Sequence, residues 1–295
     1  TPDFDGLPLD LYLAPDRVLP VMGSRGCYWE KCAFCSIPFD HMEFHVRYAE
    51  NVVNDFKTLQ KKYNCNHFFF TDEALPINFL RTFAAKIIEE KVDVQWTGEL
   101  KFEKSLLKDD RMDLLYKSGC RKLIFGLESY NQRVLDSMKK GVELSWVDDT
   151  AERCIQLGIA MHFYLICGFP TETREEVMDS VNFVLNNQRL LDSPGFSAIL
   201  SQFDLERGAP IEKSPAEWGL KNLFTPKEHD LSLGYSYETT IGMNSKEIND
   251  LYQELIEKLG REVMTFPHNY SLSDGLLYLA HHQRHSLTER LGTLA

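Results

Sequence analysis

From residue 18 to about residue 205 the chain repeats one pattern: a short β-branched or aromatic run, then a stretch of helical period. The runs are 18–22, 67–71, 92–97, 122–125, 161–166 and 197–203. Between the first two, Val52, Val53, Phe56, Leu59 and Tyr63 share one helix face, and between the next two so do Leu80, Phe83, Ala84, Ile87 and Ile88. Strands joined through helices are connected by crossovers, and a crossover brings the next strand in parallel. The pattern therefore predicts an α/β fold, a partial (β/α)6 TIM-like barrel with six strands where the closed form has eight. Thr173 followed by Glu176 predicts a capping box that opens a helix carrying Val177, Val181, Val184 and Leu185, which makes Gly168, Phe169 and Pro170 a strand-to-helix corner.

Past residue 205 the theme changes. Gly208, Pro210, Pro215 and Gly219 make an irregular stretch, and 235–243 has no clear period. Asn244 and Glu247 can cap a helix with the apolar stripe Ile248, Leu251, Tyr252, Leu255, Ile256 and Leu259, ended by Gly260, which must dock on the barrel. The expected organisation is a lead-in over 1–17, a possible linker from an upstream domain, then the barrel over 18–219 and a mainly helical C-terminal extension over 220–295. The chain has 295 residues, 43% hydrophobic and 26% charged, enough to bury a full core. No run approaches the roughly 18 to 20 apolar residues of a membrane helix, and no secretory signal pattern opens the chain, so a cytoplasmic protein without a membrane partner is expected. A net charge of -12 disfavours an extended grip on nucleic acid.

The seven cysteines are unevenly spread. Cys27, Cys32 and Cys35 crowd into the loop after the first strand run, at what a parallel barrel makes its active rim. Three close thiolates can ligate three irons of a cubane cluster and leave the fourth open. Structural zinc usually takes four closed ligands, often from two Cys-x-x-Cys pairs, and there is no second pair. Cys65, Cys120, Cys154 and Cys167 stand singly and read as buried structural residues. Asp72, Glu73, Glu99 and Glu128 fall at strand ends, a ring of acids that suits a zwitterionic ligand, with its ammonium on Asp72 or Glu73. His281 and His285 sit one helical turn apart, but position 282 is His where a metalloprotease needs Glu, and a solvated helix face is the plainer reading. His162 alternates with Met161 and Phe163, as a core or substrate-facing residue.

The cysteine loop resembles the signature of radical S-adenosylmethionine (SAM) enzymes, Cys-x-x-x-Cys-x-aromatic-Cys. Phe34 matches the aromatic position, and four residues separate Cys27 from Cys32 where most members have three. Other segments agree in order: Thr71-Asp72-Glu73, Gly98-Glu99-Leu100-Lys101, Gly126-Leu127-Glu128-Ser129, and Ile166-Cys167-Gly168-Phe169-Pro170-Thr171-Glu172-Thr173. The resemblance implies a 4Fe-4S cluster on Cys27, Cys32 and Cys35, and SAM held by Phe34, Asp72, Glu73, Glu99, Lys101, Glu128, Ser129, Ile166 and Gly168. In that implied scheme Asp72 or Glu73 takes the amino group, Glu99, Lys101, Glu128 and Ser129 the ribose, carboxylate or nearby polar atoms, and the Ile166–Gly168 segment the adenine. Tyr28 and Trp29 are placed either to shield the cluster or to pack the barrel mouth.

As the resemblance has it, the reduced cluster cleaves SAM to a 5'-deoxyadenosyl radical that abstracts hydrogen from a small-molecule or peptide substrate. A donor such as flavodoxin or ferredoxin would supply the electron. Within the superfamily, the segments 3–15, 24–26 and 207–219 look most like members associated with a cobalamin (B12)-binding domain, which implies methylation or a related step. Cobalamin would come through a domain absent from this chain, since no Asp-x-His-x-x-Gly motif occurs. The alternatives are a methylthiotransferase-like modification of RNA or protein, whose second three-cysteine cluster is missing here, and a non-catalytic zinc-stabilised binding barrel.

Overall fold

The computed structural model describes residues 1–9, 17–37, 43–225 and 233–262. In chain order its first half comprises β1 (Val18–Val21), β2 (Ser24–Arg25), β3 (His45–Val46), α1 (Ala49–Tyr63), β4 (His67–Phe70), α2 (Ile77–Glu89), β5 (Gln95–Leu100), α3 (Arg111–Lys117) and β6 (Cys120–Glu128). The second half comprises α4 (Gln132–Ser137), α5 (Leu144–Leu157), β7 (Ala160–Cys167), α6 (Arg174–Leu185), α7 (Gln188–Leu191), β8 (Ser197–Gln202), β9 (Leu205–Glu206), α8 (Pro210–Lys213), β10 (Leu220–Phe224), β11 (Gly234–Thr239) and α9 (Ser245–Glu262).

The six predicted runs form one sheet in the order β1-β4-β5-β6-β7-β8, every pair parallel. β1 and β8 are its edges, so the barrel is open as expected for six strands. Alternation assigns the two faces. On β5, Trp96, Gly98 and Leu100 are buried while Gln95, Thr97 and Glu99 are half-buried. The buried set meets the helices: Trp96 lies 5.8 Å edge-on to Phe83 of α2, and Phe56 of α1 stacks on Phe68 of β4 at 4.1 Å. Edge-to-face and offset pairs like these each add about 0.5 to 1.5 kcal/mol to the gain from burial. The half-buried set, including Glu99, His162 and Tyr164, faces away from the helices.

Local signals close the elements where the sequence placed them. Thr173 and Glu176 form the capping box of α6, and Asn244 and Glu247 bond reciprocally at the start of α9. α9 runs through Gly260 to Glu262, and Ile248, Leu251, Leu255 and Leu259 belong to the same apolar core as the sheet. The segment after 219 departs from the helical expectation at its start. β10, β11 and β9 form a small antiparallel sheet whose Leu220 and Leu205 join a second core with Ala33, Phe169, Phe203 and Ile211. This second core lies against the cysteine loop. His281, His282 and His285 fall outside the described residues, as does 10–16 of the lead-in.

Because Leu255 is fully buried in the shared core, Leu255→Ala should cost about 2 to 5 kcal/mol. Urea unfolding should show that loss in a single transition. A separate early transition for α9 would contradict the shared core.

Candidate active site at the C-terminal edge of the sheet

Parallel pairing brings the ends of β1, β4, β5, β6 and β7 to one edge. Cys27, Cys32 and Cys35 lie there on the loop after β2, each half-buried and none in a disulfide. Backbone bonds fix the loop from two sides: Ala33 N donates to Met138 O at 2.9 Å, and Ile211 N donates to Ala33 O at 2.9 Å. Phe34 packs edge-on to Phe169 at 6.5 Å, with the Lys140 ammonium 5.7 Å from its ring centre. Burial pushes the Cys32 thiol up, opposed by the Lys140 ammonium, and burial pushes Cys35 up to about 12. Cys27 and Cys32 both act electrostatically on Cys35, so the three thiols form one group.

Of the acids, Asp72 is already committed. Its carboxylate accepts from Gly23 N at 2.9 Å, from Ser24 N, and from Ser24 Oγ at 2.6 Å. Burial raises its pKa and the Ser24 hydroxyl opposes that rise. It thus ties the lead-in to the cysteine loop to the end of β4, leaving Glu73 as the exposed acid of the pair. Glu73 is raised by burial and by Asp72. Glu99 is pushed up to about 7, first by burial and then by Glu73, while Tyr164 Oη donates to its Oε1 at 3.4 Å. Glu128 sits in left-handed backbone at φ 63, a strained setting for a residue with a side chain, and its Oε1 meets Lys140 Nζ at 2.7 Å. Burial pulls Lys140 down, but Glu128 and Cys32 outweigh it and hold the ammonium charged.

Ser129, expected in the site, is fully buried with its Oγ 3.2 Å from Ser180 Oγ on α6. Lys101 is buried, donates to Gly141 O at 2.9 Å, and stands 4.0 Å from the Trp29 ring centre. Ile166 is half-buried at the end of β7. Gly168 takes φ 84 and donates through its N to Glu172 Oε2 at 2.8 Å. His162 Nδ1 lies 2.7 Å from Ser197 Oγ. The structure therefore brings Cys27, Cys32, Cys35, Phe34, Glu73, Glu99 and Glu128 to one edge and turns Asp72, Ser129 and Lys101 to protein partners. Lys140 was missed. Its signal was a basic pair just beyond a strand-end acid, Lys139 and Lys140 after Glu128.

Residues 21–184 match the family model described as the radical SAM superfamily. An uncharacterized methyltransferase of Pyrococcus horikoshii is 30% identical over 189 residues, 62% of this chain and 40% of the relative. The bacteriochlorophyllide d C-12(1)-methyltransferase of Chlorobaculum tepidum is 25% identical over the same extent of 189 residues. The chain thus spans about 40% of the length of these curated relatives. Among solved structures, the cobalamin-dependent SAM radical enzyme OxsB superposes with a TM-score of 0.61 over 90% of this chain and 45% of that one, at 14% identity. The radical SAM methyltransferase TsrM of Kitasatospora setae, with cobalamin and a 4Fe-4S cluster bound, superposes with a TM-score of 0.57 over 72% of this chain and 43% of that one, at 19% identity. The structural likenesses establish the fold as that of a radical SAM partial barrel, and the matched model, covering the cysteine loop and strands β4 to β7, places this chain in the radical SAM superfamily.

Proposed function

We propose that this chain is the cluster- and SAM-binding core of a radical SAM methyltransferase, with Cys27, Cys32 and Cys35 as the cluster ligands. The observation that carries the reading is the convergence of these three half-buried thiols with Glu73, Glu99, Glu128 and Lys140 at one sheet edge. The donor set fits. Three thiols on one loop, each half-buried and none in a disulfide, can give one thiolate to each of three irons of a cubane. The cluster, when bound, supplies the electron that cleaves SAM reductively to methionine and a 5'-deoxyadenosyl radical.

The chain's own residues bind and orient. Glu73, acceptor only when ionised, takes the amino group of methionine. Lys140, charged and nearly buried, neutralises the ligand's carboxylate, and Glu128 holds that ammonium in place while presenting its second oxygen to the ribose. Phe34, Ile166 and the backbone turn at Gly168 flank the adenine. Asp72 acts through the loop, by fixing Gly23 and Ser24 ahead of Cys27. Methylation, as in the names of the curated relatives, draws on cobalamin carried outside this chain. The substrate is a small molecule or peptide, and flavodoxin or ferredoxin supplies the electron. No helix among the described residues is long and apolar enough to cross a membrane.

The Cys27→Ala, Cys32→Ala, Cys35→Ala triple variant should retain almost no iron or sulfide after anaerobic reconstitution. With dithionite and SAM, wild type should yield 5'-deoxyadenosine and the triple variant only background, quantified by mass spectrometry. Equal iron and equal product in both would end the assignment.

Glu99 gives a pH signature. With a native pKa near 7 against about 4.5 unfolded, the native chain holds a proton that the unfolded chain releases between those values. Its contribution is therefore fully favourable below about pH 4.5 and is lost as pH rises through about 7. Glu99→Gln should stabilise the protein by about 3 kcal/mol at pH 8, and the gain should fall to about 1 kcal/mol or less near pH 5. Chemical denaturation at the two pH values measures it.

A further inference from the structure

The family's usual cysteine spacing leaves three residues between the first two ligands, and this chain has four. A longer loop has more conformations to lose, so something must hold it. Within this loop Glu30 adopts left-handed backbone at φ 52. The two residues before it are both gripped by the segment that follows β5. Tyr28 Oη donates to Glu103 Oε1 at 2.6 Å, and the Trp29 ring lies under the Lys101 ammonium at 4.0 Å. Trp29 Nε1 also donates to Lys139 O at 2.9 Å, while Lys101 Nζ donates to Gly141 O at 2.9 Å. Gly141 closes the grip because a Cβ there would come within 2.1 Å of the rigid Trp29 ring. A desolvated ammonium over an indole is the strong form of this contact.

Building on the cluster assignment above, we propose that Lys101 and Glu103 are positioning residues that clip Trp29 and Tyr28, holding the lengthened Cys27–Cys32 loop in its ligating conformation, and that the charge of Lys101 raises the cluster's reduction potential. The charge is well placed for this. Lys101 is buried, which pulls its ammonium's pKa down, while the Glu103 carboxylate and then the Cys32 and Cys27 thiols oppose that pull. Glu103 stands 4.0 Å from its ammonium and offsets part of the field, and Lys140 adds to it. A fixed positive charge beside a cluster stabilises the reduced, more negative form, and net charge and exposure are among the factors that set such potentials.

The test uses the full chain and the variants Trp29→Leu, Gly141→Ala, Lys101→Met and Lys101→Arg. In cluster-free protein, amide hydrogen exchange over 28–32 should be about tenfold faster in Trp29→Leu and Gly141→Ala than in wild type, with exchange in β5 and β6 unchanged. After anaerobic reconstitution, Lys101→Met should load less iron and sulfide than wild type, and the fraction that carries cluster should show, by redox titration followed with electron paramagnetic resonance, a ratio of reduced to oxidised cluster about tenfold lower at a given potential, ~59 mV for one electron. Lys101→Arg, which keeps the charge, should stay near wild type. Unchanged loop exchange in both clip variants overturns the clip, and an unchanged potential in Lys101→Met overturns the charge effect. Wild type that assembles no cluster would defeat the functional reading and the charge effect with it, whereas the exchange comparison would still decide the clip.

Discussion

Six strands paired in parallel and in chain order must all leave the sheet through the same edge, and each of the first five must be followed by a crossover that returns along one face. Everything functional about this chain depends on that constraint. The helices bury Phe56, Phe83 and Trp96 on their side, so the strand residues on the other side, Glu99 and Tyr164 among them, are left beside an open face. Short loops at the collecting edge then bring together side chains far apart in sequence. Asp72 shows the mechanism in small: from the end of β4 it accepts from Gly23 and Ser24 just after β1. A carboxylate this deeply buried is costly unless its oxygens find donors, and the loop ahead of Cys27 provides them.

The charges at that edge are unevenly matched. Glu128 and Lys140 pair at 2.7 Å with both side chains nearly buried, which holds each in one place more than it stabilises the fold. Glu73 and Glu99 have no comparable cation among the contacts described. Burial raises both, Asp72 adds to the rise of Glu73 and Glu73 to that of Glu99, which is pushed up to about 7. Under the proposed function, a ligand bearing its own ammonium would restore the ordinary ionisation of these acids, and Lys140 on the same edge would meet its carboxylate.

The sheet was legible in the sequence because each strand is a compact apolar run between helical periods, and periodicity survives any detail of packing. Its limits explain what was not legible. β6 extends over nine residues from Cys120 to Glu128, past both ends of the predicted run 122–125, because Arg121 on one side and Gly126 and Glu128 on the other break the apolar signal while the backbone continues to pair. β10 and β11 carry mixed sequences such as Leu-Lys-Asn-Leu-Phe, whose strand character comes from pairing with each other and from the second core. The candidate site divides the same way. Cysteine spacing is local and could be read, whereas the turn of Ser129 toward Ser180 and the commitment of Lys101 to Trp29 and Gly141 are set by contacts between distant segments. Trp29 and Lys139 are separated by 110 positions, and no local pattern marks them as partners.

Glu172 shows how the C-terminal segment reaches the site without touching the cysteines. Its Oε2 accepts from Gly168 N and Phe169 N, which shapes the turn after β7, and burial raises the group to about 8. Its other oxygen, Oε1, is buried with no partner among the described residues. The turn is next held from outside: Met243 N donates to Glu172 O at 3.3 Å, and the Ile248 side chain of α9 fills the space where Gly168 lacks a Cβ. Any side chain at Gly168 would meet Ile248 within 2.6 Å and would also be strained at φ 84. The position of α9 and the shape of the β7 turn are thus one packing problem. A helix outside the repeating βα pattern sets the backbone of a turn at the heart of the candidate site, and this is why the helix belongs to the same core as the sheet.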